Sequence, residues 1–388
     1  MEAAIRLLAC SNAPWDTSGY STEIALFAPR FRDLGHEVVL AANYGLQGSA
    51  SEWQGIPVLP RGFDDHLNDI ISAHCQYVKP DLVIVLDDAW PHVPEVWKPL
   101  PAAFWMPVDT AVVPGLGPAN PLAAGDEAFL RGSGAVPIAM SRHGERLLKG
   151  AGFSPLFVPH AVDVQTFAPR PDRDELRAKW KVDGRFVIGI AAANKDGVRK
   201  GLSEQLAAFA RFRKTHDDAL LLVHSMIKYP TSQLDLQRLA ARLGIEESVR
   251  FTDQYAQVSG LMRPAHMAEW YSILDVFSNC AYGEGFGIPI IEAAACGVPA
   301  VVTDCSAMTE LKGPGWSVQG HPFWNPVHEA WWLAPDIPAI TKAYEKAYRG
   351  AATRRQAARE FAMAYDADAV TVEWWKPALD VLAERVAK

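Results

Sequence analysis

Short runs of uninterrupted apolar residues, alternating with helical stretches, recur along this chain of 388 residues and leave it few folds to adopt. In the first half they are AIRLLAC, HEVVLAA, DLVIVLD, AAFWMPV and VPIAMS; in the second, FVIGIAA, ALLLVHS, VRFTD, VFSNC and PAVVTD. A strand that is apolar at every position is buried on both faces, as in a parallel sheet covered by helices. Between the runs lie TEIALFAPRFRDLG, HLNDIISAHCQYV, LSEQLAAFARFRKTH, QLDLQRLAARLG and PIIEAAAC, with apolar residues at helical spacing. The class is therefore α/β, and two such series in tandem predict two Rossmann-like domains. The length also exceeds what one ordinary core accommodates. Residues 158–176, VPHAVDVQTFAPRPDRDEL, combine prolines with a run of charge and read as the connection. The expected domains are 1–165 and 166–369, with a closing amphipathic helix at about 370–388 that crosses back to the first.

Composition narrows the class of function. A net charge of −8 disfavours a general nucleic-acid binder, since affinity for phosphate backbones comes mainly from Lys and Arg. No apolar run approaches a membrane span, and Arg6, Asp16, Glu23 and Arg30 interrupt any signal-like apolar region. The five cysteines (Cys10, Cys75, Cys280, Cys296 and Cys305) show neither CxxC nor Cys/His ligand spacing. Apolar neighbours suggest buried, reduced thiols in a cytoplasmic protein.

The densest chemistry lies in GEGFGIPIIEAAACGVPA, residues 283–300. Pro289 suits the first turn of a helix, and Gly297-Val298-Pro299 stops it. Glu284 then precedes the helix and Glu292 sits on its first turns. The amides of Gly285, Phe286, Gly287 and Ile288 face the cleft, where the helix dipole favours an anion. Two carboxylates that accept hydroxyls beside an N–H nest suit a nucleotide sugar. Upstream, Arg199 and Lys200 precede a helix beginning near Leu202, and two cations there suit a diphosphate. The alternative is a solvated basic pair beside a glycine-rich turn. In the first half, SNAPWDTSGYS follows the first strand before a helix starting near Thr22, so Gly19 would let backbone approach a phosphate. It is not GxGxxG, and no acidic ribose ligand follows the second strand, which argues against a dinucleotide oxidoreductase. Asp87 and Asp88 end a buried strand, with Trp90 and His92 after them. A DD pair suggests a divalent metal or strand-end capping. His160 reads as a residue that orders the connection.

In order, RKGL and then YSILDVFSNCAYGEGFGIPIIEAAACGVPAVVTDCSAMTEL resemble the retaining GT-B glycosyltransferases of family 4, the glycosyl transferases group 1. VPHAVDVQTFAP resembles that family's inter-domain segment, with Ala161 where Gly is usual, and MPVD resembles a fifth-strand end found in part of it. The resemblance covers most of the chain and is strongest from 186 to 311. It implies the GT-B architecture, two Rossmann-like domains facing each other across a cleft. The implied reaction is metal-independent transfer of a hexose from a nucleoside diphosphate sugar, with retention, and without a cofactor. Glu292 would hold the donor ribose and Glu284 hydroxyls of the transferred sugar, helped by the Phe286-Gly287 backbone. Arg199 and Lys200 would bind the diphosphate, and Gly19 would close on it. Asn194, where many members carry an Arg, is expected among the donor-binding residues, and Asp109, where many carry a His near the sugar, among the catalytic ones. Asp87, Asp88 and Trp90 become acceptor-side residues. The acceptor stays open among a glycan, a small metabolite, a lipid-linked sugar and a modified nucleobase. A silent GT-B subunit that only binds a nucleotide sugar or a partner protein remains the rival.

Overall fold

The structure, a computed structural model, describes residues 4–113, 115 and 122–386. The five runs of the first apolar series, joined by three strands outside it (β3, β4 and β8), form an eight-stranded sheet in the order β3-β4-β2-β1-β5-β6-β7-β8. Its strands are β1 (Arg6–Ser11), β2 (Glu37–Ala42), β3 (Ser51–Trp53), β4 (Ile56–Leu59), β5 (Leu82–Leu86), β6 (Ala102–Met106), β7 (Val136–Ala139) and β8 (Leu156–Phe157). All pairings are parallel except β3 with β4, an edge hairpin with polar, exposed residues that apolar patterning does not reveal. The second series forms a parallel six-stranded sheet in the order β11-β10-β9-β12-β13-β14. Its strands are β9 (Phe186–Ala191), β10 (Ala219–His224), β11 (Val249–Phe251), β12 (Val276–Asn279), β13 (Ala300–Thr303) and β14 (Trp316–Val318). The central strands β5, β6 and β9 are buried along their whole length, as their unbroken apolar sequences require.

One element lies outside both series. β15 (Gly320–Asn325) and β16 (Ala330–Pro335) form an antiparallel hairpin that reaches the first domain. There the Ala111 N–H donates to the Trp331 carbonyl at 2.6 Å and the Ala124 N–H to that of His328 at 3.2 Å. Residues Thr371–Trp375 and the helix Lys376–Val386 also return to the first sheet. Trp375, with no exposure, packs against Phe27, Phe31 and Trp105 at ring separations of 5.7, 5.0 and 4.9 Å. Removing so large a buried ring leaves a cavity. Trp375→Ala is expected to cost about 3–5 kcal/mol in urea-induced unfolding, and an unchanged midpoint would mean the tail adds nothing to the first core. No helix among the described residues is long and apolar enough to cross a membrane.

Candidate functional site

The carboxyl ends of the two sheets meet, and glycines make the contact possible. A Cβ on Gly283 would stand 2.0 Å from the Asp109 carbonyl oxygen, and one on Gly285 would stand 2.1 Å from the Pro107 Cβ. The loop after β12 is thus laid directly on the end of β6. The helix Ile288–Ala295 starts from Gly287 at φ 111°, with Pro289 in its first turn. It ends where Gly297, at φ 74°, closes a Schellman turn: the Val298 N–H bonds to the Ala293 carbonyl and the Gly297 N–H to that of Ala294, both at 2.8 Å.

This contact gathers a compact set of charges. Lys200 Nζ lies 2.8 and 2.7 Å from the two Glu284 carboxylate oxygens. Arg199 reaches Glu284 at 3.4 Å, Asp109 at 3.6 Å and Asp196 at 3.6 Å. Burial pushes the Glu284 carboxyl up, but Lys200 and Arg199 outweigh it and hold the group below its ordinary value. Burial and the neighbouring guanidinium lower the Lys200 ammonium, against the pull of Glu284. Arg199 loses by burial and gains more from Glu284 and Asp109, so it stays charged. Two cations anchored by one buried carboxylate form a ready anion site, in which the Glu284 oxygens mark where acceptor atoms can sit. The Glu284 N–H donates to Ser306 Oγ at 3.0 Å, fixing the loop to the segment after β13.

Glu292 lies one helix turn further in and accepts the Tyr271 hydroxyl at 2.8 Å. Burial raises its carboxyl to about 7, and Glu23 on the facing helix Gly19–Asp33 adds to the rise. The empty protein therefore holds a proton on Glu292 that the unfolded chain gives up near 4.5, and that contribution to stability is lost as pH rises through about 7. Glu292→Gln is expected to raise the thermal midpoint relative to the native chain, by a margin that grows from acid to mildly alkaline pH. A margin independent of pH would mean that Glu292 is not the titrating group.

Several expected residues find different surroundings. Gly19 is not in a loop: Ser18 caps the helix by accepting the Ser21 N–H, and Gly19 is its first residue, three positions before the expected start. Its missing Cβ leaves room for Ile288 Cδ1, 3.2 Å away, from the other domain. Asn194 does not face the cleft. Its amide donates to the Met226, Ile227 and Leu234 carbonyls and accepts from Ser232 Oγ, so it ties down the loop after β10, and its expected donor role is corrected. Asp88 is raised to about 7 by burial and by repulsion from Asp87 and Asp109, and it neighbours Arg199. Asp87 points instead to His66 and His92, at 2.9 and 3.3 Å. Trp90 is exposed, with its ring 5.8 Å from that of His328 on the β15–β16 turn. His160 Nδ1 lies 3.0 Å from Glu23 Oε2 and the ring packs on Phe286 at 5.2 Å, so it ties the connection to both domains.

Sequence reasoning passed over Tyr20, Ser306, Tyr271, Asp126 and Glu23. Tyr20 sits among Asp88, Asp87, Arg199 and Asp109, and burial with these carboxylates raises its phenol. Its place just after Gly19 in a strand-to-helix turn was a usable signal. Asp126, raised by burial and by Asp88, accepts the Trp90 N–H at 3.0 Å; nothing local marks it.

Known proteins resemble the chain in fold and, over part of its length, in sequence. Residues 185–347 match the model of the family described as glycosyl transferases group 1. The chain is 32% identical over 160 residues to the MMP alpha-(1->4)-mannosyltransferase of Mycolicibacterium hassiacum, covering 40% of this chain and 33% of that protein. It is also 32% identical over 152 residues to a GDP-mannose-dependent alpha-(1-6)-phosphatidylinositol monomannoside mannosyltransferase of Mycolicibacterium smegmatis, covering 37% of each. The chain thus spans little more than a third of the length of these relatives. Among solved structures, sucrose-phosphate synthase from Thermosynechococcus elongatus superposes with a TM-score of 0.75 at 15% identity, covering 98% of this chain and 100% of that one. The Anabaena HepE complex with UDP and glucose follows at 0.68 and 15% identity, covering 96% and 99%. The chain has the GT-B fold, and its residues 185–347 are similar to the group 1 glycosyl transferases.

Proposed function

We propose that this chain transfers a hexose from a nucleoside diphosphate sugar to a hydroxyl acceptor, with retention and without a metal at the donor. The observation that carries the proposal is the Arg199–Lys200–Glu284 cluster, closed from the other domain by Asp109. Residues 166–369 serve as the donor domain and 1–165 as the acceptor domain. The donor diphosphate takes the two cations. Glu284 and the amides of Gly285, Phe286, Gly287 and Ile288 hold the sugar and its phosphates, and Glu292 takes the ribose hydroxyls. As the glycosidic bond breaks, Arg199 and Lys200 stabilise the negative charge on the departing diphosphate. The leaving β-phosphate oxygen accepts the proton of the acceptor hydroxyl, which attacks the anomeric carbon from the same face. Contact between the domains excludes water and limits hydrolysis.

Tyr20 and Asp88, beside Asp109 and Arg199, and Trp90, beside the β15–β16 turn, form the acceptor side. Their hydroxyl, carboxyl and indole groups suit a polyhydroxylated acceptor better than an anionic one. GDP-mannose is the first donor to test, since it is named for one of the relatives. Thermal midpoints with GDP, UDP, ADP, TDP and their sugars, each with and without EDTA, test the reading. One nucleotide is expected to raise the midpoint to the same extent with EDTA as without, by RT ln(1 + [L]/Kd), about 2.7 kcal/mol at a hundredfold excess over Kd. Glu292→Gln should lose that rise. No rise with any nucleotide would leave the cluster as a structural ion-pair network and return the silent-subunit reading.

A further inference from the structure

Away from the Arg199–Lys200 cluster, three potential ligands converge from separate segments of the first domain: His66 from the loop after β4, Asp87 from the end of β5 and His92 from the loop beyond it. Their ligand atoms all lie within 4.8 Å of one another. We propose that His66 Nδ1, Asp87 Oδ2 and His92 Nε2 bind a zinc ion that anchors the wall of the acceptor side.

Hydrogen bonding alone accounts poorly for the arrangement. Asp87 Oδ2 receives Asn43 Nδ2 at 2.7 Å and His66 Nδ1 at 2.9 Å, and His92 Nε2 stands 3.3 Å away. One carboxylate oxygen serves about two donors. His92, with a side chain of no exposure, has no hydrogen-bond partner at Nδ1 and at Nε2 only the 3.3 Å approach to Asp87, and Asn43 Oδ1 is likewise buried and unpartnered. Buried polar atoms without partners are costly, and several at one point call for an explanation. A cation supplies it. The Nε2 atom of His92 becomes a ligand, and a half-turn of the Asn43 amide brings its orphaned oxygen to the place its nitrogen now holds, beside Asp87 Oδ2, as a fourth ligand. Bonds of 2.0–2.1 Å in a tetrahedral zinc site place ligand atoms about 3.3 Å apart, against 2.9 Å from His66 Nδ1 and 3.3 Å from His92 Nε2 to Asp87 Oδ2.

The surrounding shell is built to hold these ligands. Asp87 Oδ1 accepts the Asp88 N–H at 2.9 Å. Asn68 Oδ1 accepts the Val93 N–H at 2.9 Å and the Trp97 indole at 3.2 Å, while its amide nitrogen reaches Asp64 and Pro91. The loops carrying His66 and His92 are therefore pinned together, and the His92 ring is wedged edge-on against Trp97 and Phe104 at 5.0 and 4.9 Å. Two imidazoles and a carboxylate favour Zn2+ over Mg2+ or Ca2+. A ferrous site with the same three ligands keeps several open positions, whereas here His92 is sealed, Asp87 is buried and the Asn43 oxygen supplies the fourth ligand. Such a closed site is structural and takes no part in the chemistry of the donor.

The test uses the whole chain, dialysed against a chelator and titrated with Zn2+ in competition with a chromophoric chelator. Expected are about one high-affinity Zn2+ per chain, a raised thermal midpoint and no comparable effect of Mg2+. The Co2+-loaded protein should show tetrahedral visible bands without thiolate charge transfer, which separates this site from binding at Cys75 or Cys10. His66→Asn, at the partly exposed ligand, should weaken binding by about 100-fold or more. No stoichiometric binding, a thiolate band, or an unaltered affinity in His66→Asn would each overturn the assignment. The cobalt spectrum of the unmodified chain decides the matter even if the variant does not fold.

Discussion

Replacing Lys200 by Ala is expected to lower turnover by about 10²–10³-fold, the scale on which removal of one preorganised charge donor acts in other enzymes. The ammonium lies at hydrogen-bond distance from both Glu284 oxygens, so it is fixed before any substrate arrives and needs no rearrangement as charge develops. The substitution also affects the fold, because Glu284 is only 7% exposed and would keep Arg199, at 3.4 Å, as its remaining counter-charge. A stability loss of about 2 kcal/mol follows, below the range for a fully orphaned buried charge. The double variant Lys200→Ala/Glu284→Gln separates the two effects. It should recover most of the thermal midpoint, since no buried charge is left unpaired, and recover none of the transfer. Steady-state transfer and thermal melts of the three proteins measure this. A Lys200→Ala protein with near-native turnover would remove Lys200 from the mechanism.

The second large effect comes from a residue with no side chain. Gly283→Ala places a methyl group 2.0 Å from the Asp109 carbonyl oxygen and 3.4 Å from the Trp332 ring. The first neighbour is backbone, so it cannot rotate away, and the loop after β12 must part from the end of β6 by about 1 Å. A displacement of that size in a positioned site costs about 10²-fold in rate. The separation falls between the domains and leaves the donor contacts proposed for the second domain in place. We therefore expect Gly283→Ala to lose transfer activity while nucleoside diphosphate alone still raises its thermal midpoint to within a few degrees of the native value. Loss of both would place the damage in the fold of the second domain, and loss of neither would mean the domains do not need this contact.

How much of this was legible in the sequence differs from element to element. Ten of the buried parallel strands could be read directly, because a strand covered on both faces has no polar position to hide, while the short parallel strands β4, β8 and β14 were not among the runs read. β3 and the β15–β16 hairpin could not, since edge and surface strands are partly polar and their pairing is fixed by partners far along the chain. The helix Ile288–Ala295, with its proline start and glycine stop, followed from local backbone chemistry alone. Gly19 shows the limit of that reasoning: SGYS looked like a loop, and the Ser18 cap turned it into the first turn of a helix.

The candidate site divides along the same line. Local spacing brought Glu284, Glu292, Arg199 and Lys200 forward as candidates, because carboxylates and cations at the ends of strands have few structural uses. Asn194 was drawn in by its position before the RK pair, and the loop after β10 claimed its amide instead. The sequence by itself determined the α/β class, the two series of strands and the charged residues at their carboxyl ends, because all of these depend on neighbours within a few positions. Only the tertiary structure decided that Lys200 clamps Glu284, that Asp109 closes on Arg199, and that His66, Asp87 and His92 meet. Apart from Asp87 and His92, five positions from each other, these contacts join segments 21 to 90 residues apart, whose approach is set by sheet order and by glycines too small to obstruct it.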